Sequence, residues 1–227
     1  MIKAIIFDFD GVLVESVDIK TKAFAQLFES EGKAIVEKVV DYHLKNAGVS
    51  RFEKIKYIYK NMLIRDLSEK TFDGLCLQFS HLVVDEVVSA PYVEGAKEFL
   101  DDYANKYSCF VASATPQDEI EAIIKRRQMQ GCFKGIYGSP KKKGVIVREI
   151  LAAYTSVRSP HSTVSRPSVL GSQSFVYIGD SLSDYKAAKD NSVHFISRIS
   201  NNENIFSNID CLKIKDLTNL KAILDSM

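Results

Sequence analysis

Residues 1–14 read MIKAIIFDFDGVLV. Positions 2–7 form a short apolar run rich in isoleucine that stops at Asp8. A run this short and this apolar suits a strand covered on both faces. FVASA (110–114), FVYIG (175–179) and VHFI (193–196) repeat the pattern. Between them, segments 94–106, 117–127, 144–154 and 182–190 carry helical spacing. Strands alternating with helices predict an α/β fold built on a doubly wound parallel sheet.

One stretch breaks the alternation. Residues 16–88 offer amphipathic patterns near 17–31, 34–46, 51–64 and 68–88 and no convincing strand, which predicts an inserted helical domain. Pro91, in SAPYVEG, suits a link back to the sheet, because proline and its predecessor resist helix continuation. The core domain is then expected to comprise residues 1–15 and 89–227. Within it, residues 155–174 hold seven serines and two prolines without a sustained apolar period, the pattern of a flexible surface excursion.

The composition bounds the functions. The chain has 227 residues, 46% of them hydrophobic and 26% charged, the balance of a protein that buries a core. Thirty basic against 29 acidic residues leave a net charge of +1, so no field of one sign drives binding to nucleic acid or membrane. The basic runs at 125–127 and 141–143 lack an aromatic stacking motif. Cys76, Cys109, Cys132 and Cys211 are scattered singly, without zinc or disulfide-framework spacing, which predicts a reduced, cytoplasmic protein. Asp8 and Asp10 interrupt the N-terminal apolar stretch and argue against a signal peptide. No apolar run approaches the roughly 20 residues that span a bilayer. His43, His81, His161 and His194 share no metal spacing and are expected in the core or on the surface.

Four motifs carry chemistry. Asp8 and Asp10 stand two apart where the first strand ends, on one side of an extended chain, so burial would make them repel unless a cation or proton held them together. Gly179-Asp180-Ser181-Leu182-Ser183-Asp184 also ends a strand and opens a helix. Ligands of open α/β sheets gather at such carboxyl ends. Asp8, Asp10, Asp180 and Asp184 can therefore converge as hard oxygen donors and supporting acceptors suited to Mg²⁺; helix capping is the other reading of Ser181 and Asp184. Ser113-Ala114-Thr115-Pro116 can offer a hydroxyl and backbone N–H groups to an anion at a helix start. Gly138-Ser139-Pro140-Lys141-Lys142-Lys143 precedes another helix, and one of its lysines is expected to point into the acidic site.

In this order the four motifs resemble the signature of the haloacid dehalogenase superfamily, and the likeness spans nearly the whole chain. The resemblance implies a Rossmann-like core with a helical cap after the first strand, Mg²⁺ as cofactor, and a small phosphorylated metabolite as partner. Asp8 would be the nucleophile and Asp10 the general acid and base. Asp8, Asp10 through its carbonyl, and Asp180 would hold the metal, with Asp184 and Ser181 in support. Phe9, Asp10, Ser113, Ala114 and the motif lysine would meet the phosphoryl group. Lys141 is preferred as that lysine because it places Ile146, Val147 and Ile150 at apolar positions of the next helix, with Lys143 as the reserve. Glu15 stands where many relatives carry aspartate.

The presence of Asp10 favours phosphate chemistry over dehalogenation, so a phosphatase acting on a sugar phosphate or phosphoglycolate is the leading expectation. In the cap, Lys45-Asn46-Ala47-Gly48-Val49-Ser50-Arg51 resembles the specificity loop of sugar-phosphate enzymes such as β-phosphoglucomutase, and Lys45, Gly48, Ser50 and Arg51 become candidate specificity residues. A helix-helix turn ended by Gly48 and capped by Ser50 is an equal reading. The alternatives are a phosphomutase and a non-catalytic, receiver-like phospholigand module.

Overall fold

The computed structural model describes residues 1–158, 172–200 and 203–227. Six strands form one parallel sheet: β1 (Ala4–Phe7), β2 (Ser108–Pro116), β3 (Gly135–Ser139), β4 (Phe175–Gly179), β5 (His194–Arg198) and β6 (Leu212–Ile214). Their order is β3-β2-β1-β4-β5-β6, so the winding direction reverses between β1 and β4. Phe7 pairs with Val111 on one side and Ile178 on the other, which puts Asp8 and Asp180 beside each other at that reversal. The fold is the doubly wound α/β expected. The alternation of the sequence missed β3 and β6: GIYGS has two glycines, and LKI is three residues long on the sheet edge.

Alternate residues of each strand face opposite layers, as the pleat requires. Ile5, Phe7, Val111 and Ile178 pack toward α5 (Ala96–Tyr103), α6 (Gln117–Arg126) and α9 (Leu220–Ser226). Ile6, Ala112 and Tyr177 pack toward Ile146, Val147 and Ile150 of α7 (Lys143–Arg158) and Ala187 and Ala188 of α8 (Leu182–Asp190). Both faces are therefore covered. Helix α7 runs through Arg158, so 155–158 are helical rather than part of a loop; no glycine or proline interrupts them. Residues 159–171 of the expected excursion lie outside the described residues.

Between β1 and α5 the chain forms α1 (Val17–Leu27), α2 (Lys33–Lys45), α3 (Arg51–Ile58, continued by a π turn at Tyr59–Leu63) and α4 (Glu69–Ser89). Phe24, Phe28, Val39, Ile55, Phe79 and Val83 are buried among these helices, and α4 also packs on α6. The two links to the sheet run side by side: Glu15 N–H donates to the Pro91 carbonyl at 3.0 Å and Val93 N–H to the Leu13 carbonyl at 3.0 Å. Among the described residues no helix is long and apolar enough to cross a membrane.

The last turn of α4 leaves carbonyls without helical partners. Arg127 supplies the donors: its Nη1 lies 2.9, 2.8 and 2.7 Å from the carbonyls of Val87, Val88 and Ala90, and its guanidinium stacks over Tyr92 at 4.3 Å. Replacing Arg127 by Met removes all three bonds at the point where the helical segment rejoins the sheet. A loss of about 1.5–3 kcal/mol is expected, the worth of hydrogen bonds to a charged group. Urea denaturation of the variant beside wild type measures it.

Candidate active site

Asp8 follows β1 directly and is buried. Its Oδ1 accepts the Phe9 N–H at 2.7 Å, and its Oδ2 accepts the ammonium of Lys143 at 2.7 Å. The same Nζ donates to Asp184 Oδ1 at 2.7 Å. Asp184 is fully buried and saturated: Tyr177 Oη donates to Oδ1 at 2.8 Å, while Ser181 donates to Oδ2 through N–H at 3.1 Å and Oγ at 2.6 Å. The capping reading of Ser181 and Asp184 and their supporting reading are thus the same geometry.

The lysine that reaches the carboxylates is Lys143, and the preference for Lys141 needs correction. Lys143 opens α7, which turns its side chain under the sheet ends, where it is 6% exposed. Lys141 precedes the helix, is half-exposed and pairs with Glu149 at 2.7 Å. Lys142 is also exposed, 3.7 Å from Glu53.

One carboxylate oxygen each from Asp8, Asp180 and Asp184 lie within 4.8 Å of one another. Burial raises the Asp8 carboxyl to about 7 even with Lys143 beside it. Burial, then the Asp8 and Asp184 charges, push Asp180 well above its usual range. Burial alone would lower Lys143, but Asp184 and Asp8 outweigh it and hold the ammonium protonated. A single ammonium among three carboxylates leaves negative charge over, and the oxygen-only donor set fits a hard divalent cation. Gly11 is required here: its φ is +74°, and a Cβ would come 2.2 Å from Asp180 Oδ2.

The Asp10 carboxylate is not in that group. It accepts Ser16 Oγ at 2.6 Å, Thr115 Oγ1 at 3.1 Å and the Lys20 ammonium. Burial would raise its carboxyl, but the Lys20 charge and these hydrogen bonds prevail and hold it below the usual range. Ser113 is fully buried with its Oγ accepting the Thr115 N–H at 3.1 Å, and Ala114 and Thr115 line the cavity above Asp8.

The helical segment overhangs this cavity, which is lined by Asp8, Asp10 and Asp180 from the core and by His43 and Lys54, with Lys20, from the helical segment. Gly48 touches the core: its carbonyl accepts Ser183 Oγ at 3.0 Å, and a Cβ there would lie 2.2 Å from Ser181 Oγ. Arg51 is buried and pairs with both carboxylate oxygens of Glu119 on α6, stacked over Phe79 at 4.4 Å. It bridges the two parts of the chain as well as lining the cavity. Two expected specificity residues lie elsewhere. Lys45, at the exposed end of α2, pairs with Asp41 at 2.8 Å, and Ser50 caps α3 by accepting the Glu53 N–H at 3.3 Å. Lys20, His43 and Lys54 were not anticipated. Ser16, Lys20 and Phe24 recur every four residues on one face of α1, and Lys54 sits three after Arg51, so helical spacing from the motif residues points to both lysines.

The sequence profile of haloacid dehalogenase-like hydrolases matches residues 5–197. The chain belongs to this family. The hydrolase is 27% identical over 143 residues to the phosphorylated carbohydrates phosphatase of Thermotoga maritima, an alignment covering 63% of this chain and 64% of that protein. Among solved structures it is similar to a predicted phosphoglycolate phosphatase from Haemophilus somnus, with TM-score 0.72, 15% identity and coverage of 98% and 97% of the two chains. It is also similar to a β-phosphoglucomutase from Clostridium difficile, with TM-score 0.71, 20% identity and coverage of 99% and 96%. Identities this low carry the fold alone.

The carboxylate cluster sets the pH dependence of the metal-free hydrolase. An acid whose folded pKa, about 7 for Asp8, exceeds its usual 3.8 binds its proton more tightly when folded. Its contribution is therefore greatest at low pH and is lost as pH rises toward that folded value. Urea denaturation in EDTA is expected to show stability falling between about pH 4 and pH 7, with the fall removed by a divalent cation. Lys143→Met should cost about 3–5 kcal/mol at neutral pH by leaving buried carboxylates unpaired, whereas Lys141→Met should stay within about 0.5 kcal/mol.

Proposed function

We propose that the hydrolase is a Mg²⁺-dependent phosphatase for a small phosphorylated metabolite, and that residues 16–88 act as its cap. The observation that carries this reading is the Asp8 carboxylate lining a cavity beneath the helical segment, held by Lys143, with Asp10 two residues on and independently anchored. Asp8 and Asp180, with the main-chain carbonyl of Asp10, are the residues to hold the metal. Bound there, Mg²⁺ supplies positive charge that offsets the repulsion between carboxylates and phosphate.

Asp8 attacks phosphorus in line; the bond to the ester oxygen breaks as the aspartyl phosphate forms. Lys143 orients Asp8 and offsets part of the burial that raises its carboxyl. An incoming phosphate draws on the Lys20 charge that holds Asp10 ionised, so Asp10 takes up a proton as substrate binds and passes it to the leaving oxygen. Relieved of that proton, Asp10 accepts one from the water that hydrolyses the aspartyl phosphate.

Phosphate release from an aryl phosphate and a panel of sugar phosphates, with Mg²⁺ and with EDTA, tests the reading. Turnover should need the metal and vanish in a folded Asp8→Asn variant, and Asp10→Asn should lower kcat by about 10²–10⁴. Wild-type release by Asp8→Asn, or equal release in EDTA, overturns it.

A further inference from the structure

Of the run Lys141-Lys142-Lys143, the active site uses Lys143, and the other two lysines stand on a second groove. This groove lies between the start of α7 and α8, bounded on its other side by the turn between α2 and α3. It meets the cavity above Asp8 at Gly48, Val49 and Ala114, which line both. Gly144 and Arg148 are one turn apart on α7, and Ser183 and Lys186 one turn apart on α8, so each helix turns one face to the groove.

The walls are cationic. Lys141, Lys142, Arg148 and Lys186 outnumber the two carboxylates there, Glu53 and Asp190. Lys141 is engaged by Glu149, and Lys142 lies 3.7 Å from Glu53. Arg148 and Lys186 have no carboxylate within ion-pair distance among the described residues. The start of α7 adds to this field, because a helix N-terminus carries about half a positive charge and N–H groups without helical acceptors. No acidic residue stands in its first turn. Val145 and Ile146 donate to the Lys142 carbonyl at 2.9 and 3.1 Å, while the Lys143 and Gly144 N–H groups have no acceptor among the described residues. Lysines at that end carry the sign of charge that the helix dipole disfavours, and an anion between them is what the dipole favours.

An independent observation points to a ligand. Ser139 ends β3, lines the groove and is only 2% exposed, yet its Oγ has no hydrogen-bond partner among the described residues. Buried hydroxyls are rarely left without a partner. A tetrahedral oxyanion answers all three features. Its charge suits Arg148 and Lys186, and its several acceptor oxygens suit the Ser139 hydroxyl and the free N–H groups of α7. A carboxylate brings a single charge to two unpaired cations, whereas a phosphate dianion matches both.

The geometry points to a phosphate-binding site in the groove between α7 and α8, separate from the reacting carboxylate Asp8, with Ser139, Arg148 and Lys186 as its side-chain donors. The site goes beyond the phosphatase reading and does not depend on turnover. Its dianion comes either from solution, as inorganic phosphate, or from a second phosphate carried by a substrate.

Calorimetric titration of the whole protein with inorganic phosphate in EDTA tests the site. Wild type should bind phosphate, and the double variant Arg148→Gln/Lys186→Gln at least about tenfold more weakly, as expected for the loss of charge-assisted bonds. Ser139→Ala should weaken phosphate by about three- to tenfold while leaving the phosphate-free unfolding midpoint no lower, because the hydroxyl it removes has no partner to lose. Midpoints without phosphate verify that all variants fold. Phosphate should raise the wild-type midpoint and leave that of the double variant unchanged. Fructose 6-phosphate and fructose 1,6-bisphosphate, titrated into Asp8→Asn, separate the two sources. Weakening of the bisphosphate alone by the double substitution supports a substrate-borne phosphate. Weakening of neither ester, with binding of inorganic phosphate lost, supports the free anion. Wild-type affinity for inorganic phosphate in the double variant, or chloride bound as tightly as phosphate, overturns the site.

Discussion

The Lys143 ammonium joins Asp8 to Asp184 across the point where the sheet reverses its winding. Three carboxylates meet there because each strand end delivers its next residue to the same edge, and the doubly wound order puts β1 beside β4. Their mutual repulsion is the constraint that the surrounding structure answers. Tyr177 and Ser181 donate to Asp184 and hold it facing Lys143. The Lys143 charge offsets Asp8 and Asp180 in part, and burial with repulsion from neighbouring carboxylates raises both carboxyls. Such a cluster is a poor stabiliser of the fold, which distinguishes it from a structural bridge.

The helical segment is held to this edge by charge pairs of different character. Arg198 on β5 reaches Glu15 with Nη2–Oε1 at 2.6 Å and the Gly11 carbonyl at 3.2 Å, which fixes the first link just beyond the DFDG turn. Glu15 meets the Arg198 guanidinium with both of its carboxylate oxygens. Arg127 fixes the second link from the other side. Arg51 and Glu119, by contrast, join the far side of the segment to α6 and are both buried when it is closed. The links are anchored independently of that pair, so closure and anchoring are separate properties of the fold.

The parts of this arrangement legible in the sequence are those governed by short-range chemistry. Apolar runs that end in aspartate announce β1 and β4 and place Asp8 and Asp180 at one edge, because burial on both faces leaves strands no other composition. The edge strands β3 and β6 escape that signal, since a strand flanked on one side only can be short or glycine-rich. Lys143 was ambiguous for a related reason. Three consecutive lysines differ only in where the helix starts, and a shift of two residues moves the side chain from the buried edge to solvent. His43 and Lys54 lie eleven residues apart in different helices. Only the packing of α2 against the start of α3 brings them together, and no local pattern encodes that.

Access to the cavity follows from the same contacts. Gly48 rests on Ser181 and Ser183, and Arg51 on Glu119, so the helical segment overhangs the approach to Asp8. The Arg51–Glu119 pair is buried but mutually compensated, so it holds the segment at α6 without leaving net charge behind. Lys54 differs: it is buried with no carboxylate partner among the described residues, and its ammonium rests on His43 Nδ1 and the Ala47 carbonyl. Burial and the Lys20 and Lys143 charges lower it to about 7, so the cavity that it lines with Asp8 carries a cation held there at a cost.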